Sequence, residues 1–290
     1  MTAYTVAGGR LLADGRAVEM IPSRFTSGNF HSTPRVLVMH FTSGASARSS
    51  AEWFRSPDNK GSSAHLVIDR DGSTLQCVSF AEIAWHAGRS TWRGRSDLNR
   101  SSFGLELANW GDLERRGAEW VAGNGKPIAN PVLAAHKNGN PDGSRHPIGW
   151  EPYPTAQFAA AAAIARALVA AYGITEIVGH DDIAPDRKKD PGPAFDMERF
   201  RREVFGAAPA PRSAEPIGSS DAFPPSVETP KDVQRALNAL GYGPLAVDGD
   251  IGPASEAAVI RFQRVAGLIV DGDAGPKTRS ALAAAMAGRV

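Results

Sequence analysis

A single cysteine, Cys77, stands in 290 residues. One thiol closes no disulfide within a chain and excludes a thiolate-rich zinc centre. Flanked by apolar neighbours in LQCVSF (residues 75–80), it reads as a small buried hydrophobe. An excess of either charge sign is also missing. Lys and Arg number 32 against 31 Asp and Glu, a net charge of +1, which supplies none of the basic field that nucleic acid requires. Nor does a long apolar run follow basic residues at the start. Asp14, Glu19 and several glycines interrupt the first twenty positions, so no secretory leader and no membrane span is read there. The expectation is a protein made in the cytoplasm that inserts into no membrane. What is present is ordinary globular material: 42% hydrophobic and 22% charged residues argue against global disorder, and the length suits two domains.

A composition break divides the chain. Residues 207–228, AAPAPRSAEPIGSSDAFPPSVE, carry Pro, Ala and Ser without apolar period and read as a partly extended linker. They separate a domain over 1–206 from one over 229–290. The smaller piece repeats itself: VDGDIGP at Val247–Pro253 and VDGDAGP at Val270–Pro276, each followed by a helix-like stretch. A third helical period precedes them, with Val233, Ala236, Leu237 and Leu240 on one face. Asp-Gly-Asp forms tight turns and Gly-Pro starts helices, so three short helices around a small core are expected. A calcium-loop reading of DGD lacks the closing Glu of an EF-hand. With the DG-x-x-GP turns and Arg261-Phe262-Gln263, this segment resembles the three-helix peptidoglycan-binding domain found at the ends of many wall hydrolases. A bare helical interaction module is the alternative.

The larger piece is predicted as α/β: a mixed central sheet flanked by helices. Val36–Met39 is a continuous apolar run, as in a buried strand. His65–Asp69, Gly104–Ala108 and Glu176–Gly179 are further short strands. Helices are expected over Ser46–Arg55, with Trp53 and Phe54 facing inward, and over Thr155–Tyr172, with Thr155 as cap and Gly173 as stop. His40 and His180 each follow a strand, where side chains can converge at the sheet edge. Asp190 comes ten residues after His180, and two His with one carboxylate suit a catalytic zinc with one open position. Asp181 and Asp182 compete as ligands, or as partners orienting His180.

VLVMHFTSG, SSAHLVIDRDGS, AWHAGRSTW, SSFGLELANWG, GWEPYPTAQ and VGHDDIAPDRKKDPGPAFDM occur in that order. Over about residues 25–200 they are similar to the zinc-dependent type-2 N-acetylmuramoyl-L-alanine amidases, a family with recycling amidases, phage lysins and peptidoglycan recognition proteins. The resemblance implies one Zn2+ held by His40, His180 and Asp190, a catalytic glutamate at Glu106 and a catalytic lysine at Lys188. Glu106 would take the proton of the attacking water and pass it to the leaving amine, and Lys188 would face the oxyanion. The implied reaction cuts the amide between N-acetylmuramic acid and the first L-alanine of the stem peptide. Without the resemblance, Glu106 reads as a buried structural acid and Lys188, between Arg187 and Lys189, as part of a solvated run.

Trp85, His86, Trp92 and Asn99 resemble the family's substrate cleft, with Arg187 as a fork for a stem carboxylate. Ordinary core or surface roles are the alternative for each. His65 reads as structural or substrate-facing, and His31, His136 and His146 carry no signal. The polar stretch Gly111–Gly149, with a loop at Asn138–Arg145, departs from the pattern and is placed beside the cleft. The expected partners are peptidoglycan or muropeptides, and a monomer is favoured. A receptor without turnover and a zinc peptidase of stem peptides are the competing functions. A wall-binding module without a visible leader points to the periplasm or cell wall, reached by lysin-like release. Cytoplasmic recycling is the alternative.

Overall fold

The computed structural model describes residues 2–206, 227–243 and 245–287. The chain forms two compact units, Met1–Gly206 and Ala207–Val290. Of the linker expected over 207–228, only Val227 and Glu228 fall among the described residues.

The first unit opens with an antiparallel meander that the sequence reading left unassigned, β1 (Tyr4–Ala7), β2 (Arg10–Ala13) and β3 (Arg16–Ala17). Gly8-Gly9 and Asp14-Gly15 make its turns, with both glycines of the first and the Asp and Gly of the second at positive φ. β4 (Thr26–Asn29) follows, then β5 (Val36–Phe41), helix α1 (Ala47–Arg55), β6 (Leu66–Ile68), β7 (Thr74–Gln76) and β8 (Glu82–Ala84), which pairs with β4. A small ribbon, β9 (Thr91–Trp92) and β10 (Arg95–Ser96), leads to β11 (Ser102–Leu107). Two hairpins fill the polar stretch read as loop: β12 (Glu114–Arg116) with β13 (Glu119–Val121), and β14 (Val132–Ala134) with β15 (Ile148–Trp150). The long helix α2 (Thr155–Tyr172), strand β16 (Glu176–Gly179) and helices α3 (His180–Ile183) and α4 (Met197–Phe205) complete the unit.

The central sheet has the order β16-β5-β11-β6-β7, parallel except for the β6–β7 hairpin. Strand alternation assigns its two faces. Leu37, Met39, Phe103, Leu105, Leu107 and Ile177 enter the main core, with Phe158, Ile164 and Leu168 of α2 and Phe200 of α4. On the other face, Val36, Val38 and Val178 join Ala87, Leu98 and Ile183, while Ala47, Ala51 and Phe54 of α1 cover Val67. Coverage on both sides explains the uninterrupted apolar run of β5. By length and composition α2 could cross a membrane, yet here its apolar residues pack into the core. It ends where expected, at Gly173 with φ +65°, but its N-cap is Pro154 rather than Thr155. Trp53 also departs from expectation: Phe54 is buried, whereas Trp53 is 49% exposed.

In the second unit, α5 (Pro230–Ala239), α6 (Pro253–Val265) and α7 (Pro276–Ala287) enclose Val233, Leu237, Val259, Phe262 and Leu282. The repeated turns are held alike. Gln234 Nε2 donates to Asp248 Oδ1 and the Asp250 carbonyl, and its oxygen accepts from Gly249 N–H. Gln263 does the same for Asp271, Asp273 and Gly272. The first aspartate of each turn therefore serves a buried amide, which explains the DGD motif without calcium.

Candidate functional site

β5 and β11 are parallel neighbours whose register pairs Glu106 with His40, so both side chains rise from one face of the sheet. His40 lies within β5, which runs through Phe41 rather than ending at Met39. β16 delivers His180 at the start of α3 beside them, and the segment after α3 turns back so that Asp181 N–H donates to the Asp190 carbonyl at 2.8 Å. The ligand atoms meet tightly. His40 Nδ1 lies 2.9 Å from His180 Nδ1, and Asp190 Oδ2 lies 2.8 and 2.9 Å from them. All three residues are buried.

The opposite ring nitrogens are committed. His180 Nε2 faces the Ala87 carbonyl at 3.1 Å, which has no proton to give, so this nitrogen must be the N–H. His40 Nε2 faces His86 Nδ1 at 3.0 Å. Burial and the neighbouring His180 push the His40 ring down to about 4, so it is neutral near pH 7. Two lone pairs and a carboxylate oxygen then converge with no proton left to separate them, which is the donor set for a cation. This His-His-Asp group is what a metal needs. Burial acts to raise the Asp190 carboxyl, but the adjoining His180 and His40 rings outweigh it and the net shift is downward.

Beside this group opens a cleft of about 620 Å³, lined among others by Glu106, Lys188, Trp53, Trp85 and a row of serines, Ser49, Ser50, Ser62 and Ser63. Glu106 Oε2 is buried there without a hydrogen-bond partner. Burial first, then the negative charge of Asp190, holds this carboxyl well above its usual range, and the Lys188 cation opposes them. A carboxyl raised in this way, aimed into a cleft and beside a metal-binding group, is suited to proton transfer.

The expected cleft residues divide. Trp85, 38% exposed, lines the cleft, with Nε1 donating to Ser27 Oγ at 2.6 Å and its ring tilted on Phe25. His86 also borders it but is buried, its ring wedged against the Gly104 backbone where any Cβ would collide with it. Trp92, Asn99 and Arg187 are absent from the lining. Trp92 Nε1 donates to Glu176, Asn99 Oδ1 accepts from the N–H groups of His86 and Ala87, and the Arg187 guanidinium donates to the carbonyls of Ala87 and Arg89. Each therefore has a polar group bonded to the scaffold. His65 is structural as well, with Nδ1 accepting from Gly104 N–H and Nε2 donating to the Glu82 carbonyl.

Other roles carry no signal in the sequence. His136, buried, meets Asp181 Oδ2 at 3.0 Å, and Lys137 Nζ lies 3.1 Å from Asp181 Oδ1. Asp181 therefore ties the hairpin insertion to α3 rather than serving as a ligand. Asp112 and Pro141 of that insertion border the cleft. Trp53, expected to face inward with Phe54, lines the cleft instead, because consecutive residues of a helix point in different directions.

The sequence matches known families and proteins along much of its length. Residues 30–193 match the family model described as N-acetylmuramoyl-L-alanine amidase, and residues 226–282 the one described as putative peptidoglycan binding domain. The 1,6-anhydro-N-acetylmuramyl-L-alanine amidase AmpD of Escherichia coli (strain K12) is 38% identical over 141 residues, 48% of this chain and 56% of that protein. The chain thus spans little more than half the length of the AmpD relatives it matches. N-acetylmuramoyl-L-alanine amidase AmiD of the same strain is 30% identical over 234 residues, 78% of this chain and 72% of AmiD. Among solved structures, a selenomethionine AmpD derivative aligns with 29% identity, covering 64% of this chain and 94% of its own, with a TM-score of 0.46. With the family model spanning more than half of the sequence and AmiD related along most of its length, the chain belongs to the N-acetylmuramoyl-L-alanine amidase family.

Proposed function

We propose that the chain hydrolyses the amide between N-acetylmuramic acid and L-alanine of peptidoglycan, using a zinc ion held by His40, His180 and Asp190. The observation that carries this reading is the Glu106 carboxyl, its Oε2 buried without a partner and its position in register with His40 of the His-His-Asp donor set. A zinc ion in such a site would supply Lewis acidity to the scissile carbonyl and the attacking water. Glu106 accepts the proton of the attacking water and returns it to the departing alanine amine. Lys188, on the same cleft wall, faces the oxygen on which negative charge develops. Trp85 offers an aromatic face to the sugar, and the serine hydroxyls suit its polar rim. The second unit holds the enzyme on the wall polymer, so the site of action is the cell wall.

The test is mass spectrometry of products from purified peptidoglycan. Free stem peptides beginning with L-alanine are expected, with the lactyl group left on the glycan and the activity lost to a chelator. Cuts within the stem, with lactyl-alanine intact, would sink the assignment. Glu106→Gln is expected to lower turnover by about 10²–10⁴-fold while zinc stays bound. Near-normal turnover in that variant removes Glu106 from the mechanism.

A further inference from the structure

We infer that Asn99 and His86 are positioning residues for the metal site: together with Ala87 they form a template that fixes the tautomer of both metal-binding imidazoles. The inference rests on the metal reading above. It begins at Ser102. The Ser102 carbonyl and hydroxyl oxygens lie 3.4 and 3.3 Å from His86 Nε2, and the hydroxyl proton is already given to the Leu98 carbonyl. His86 Nε2 must therefore donate. A neutral ring then has its lone pair on Nδ1, where it meets His40 Nε2 at 3.0 Å. That contact requires a proton on His40 Nε2 and leaves His40 Nδ1 bare toward the ligand cluster.

His180 is set by the adjoining residue, its Nε2 donating to the Ala87 carbonyl. One dipeptide thus orients both rings. Both N–H groups of the dipeptide meet a single atom, Asn99 Oδ1, which accepts that of His86 at 3.0 Å and that of Ala87 at 2.7 Å. Gly104 contributes by lacking a side chain, which gives the His86 ring its place on the strand. No other residue type offers what Asn99 does there except one with an acceptor oxygen at the same reach, which is aspartate.

The test compares wild type, Asn99→Leu and Asn99→Asp as full-length protein, with zinc affinity read by competition against a chromophoric chelator. Asn99→Leu is expected to bind zinc about 10–100-fold more weakly, as for other residues that orient ligands, and Asn99→Asp to recover most of the loss. Nitrogen-15 spectra of the zinc-loaded wild type supply a readout that needs no variant. His40 and His180 should coordinate through Nδ1, with Nε2 protons in slow exchange. Coordination of His40 through Nε2, or equal zinc affinity in folded Asn99→Leu, overturns the inference and leaves the metal reading standing. Wild-type protein that takes up no zinc removes both.

Discussion

His65 is enclosed by the rings of Phe30, Phe80 and Phe103, and both its nitrogens are bonded to the backbone. Burial pulls this imidazole down to about 4 from an ordinary 6.5. A depressed pKa in the folded state means that the unfolded chain binds the proton more tightly. The contribution to stability is therefore complete above about pH 6.5 and is lost as the pH falls toward 4, at up to ~1.4 kcal/mol per pH unit for this one ring. Glutamine can accept from Gly104 and donate to Glu82 without titrating. His65→Gln should therefore lose stability less steeply between pH 7 and 5 than wild type, by close to one proton. Urea midpoints at the two pH values measure it, and parallel slopes would show that His65 is not the buried neutral ring described. At this scale the ligand cluster was legible because its residues sit in long matching motifs at strand ends. Asn99 and His86 lie in those same motifs, and their types fit a substrate rim as well as a scaffold. Only the direction in which the Asn99 oxygen points separates the two.

Among elements, the long apolar segments were readable and the short polar ones were not. β5, β16 and α2 announce themselves by uninterrupted apolar runs or by a glycine stop, and each lies within a residue or two of its expected bounds. β12 to β15 are three residues each, with exposed or half-exposed positions throughout most of them, so no periodicity survives to betray them. Their order comes from tertiary contacts instead. Trp150 is buried with Nε1 donating to the Ala134 carbonyl, and His136 joins Asp181. His136→Phe keeps the ring volume but leaves Asp181 Oδ2 without its partner. A loss of about 1–3 kcal/mol is expected, or roughly 2–4 °C in Tm per kcal/mol for a unit of this size. Hydrogen exchange should quicken first in β14 and β15. Unchanged protection there would mean that the His136–Asp181 contact does not order the insertion.

For the whole molecule, the division into two units lets the proposed function be tested as catalysis and delivery separately. Each unit has its own closed core, the first around the sheet and α2, the second around Phe262 and Leu282. All five residues assigned to metal and proton chemistry lie in the first, so a chain ending after Gly206 retains the complete site. Such a truncation should hydrolyse soluble muropeptides at nearly the full rate. On intact sacculi the substrate is an insoluble polymer, and a second binding unit raises the local concentration of enzyme without any new contact at the cleft. Tethering of this kind is worth about 10²–10⁴-fold in avidity when the geometry allows both units to engage. The truncated enzyme should therefore need much more protein to solubilise sacculi, and the deficit should shrink as enzyme concentration rises toward saturation of the wall. Parallel assays on the two substrates give the answer. Equal losses on both would mean that residues 207–290 support the catalytic unit itself rather than hold it to the wall.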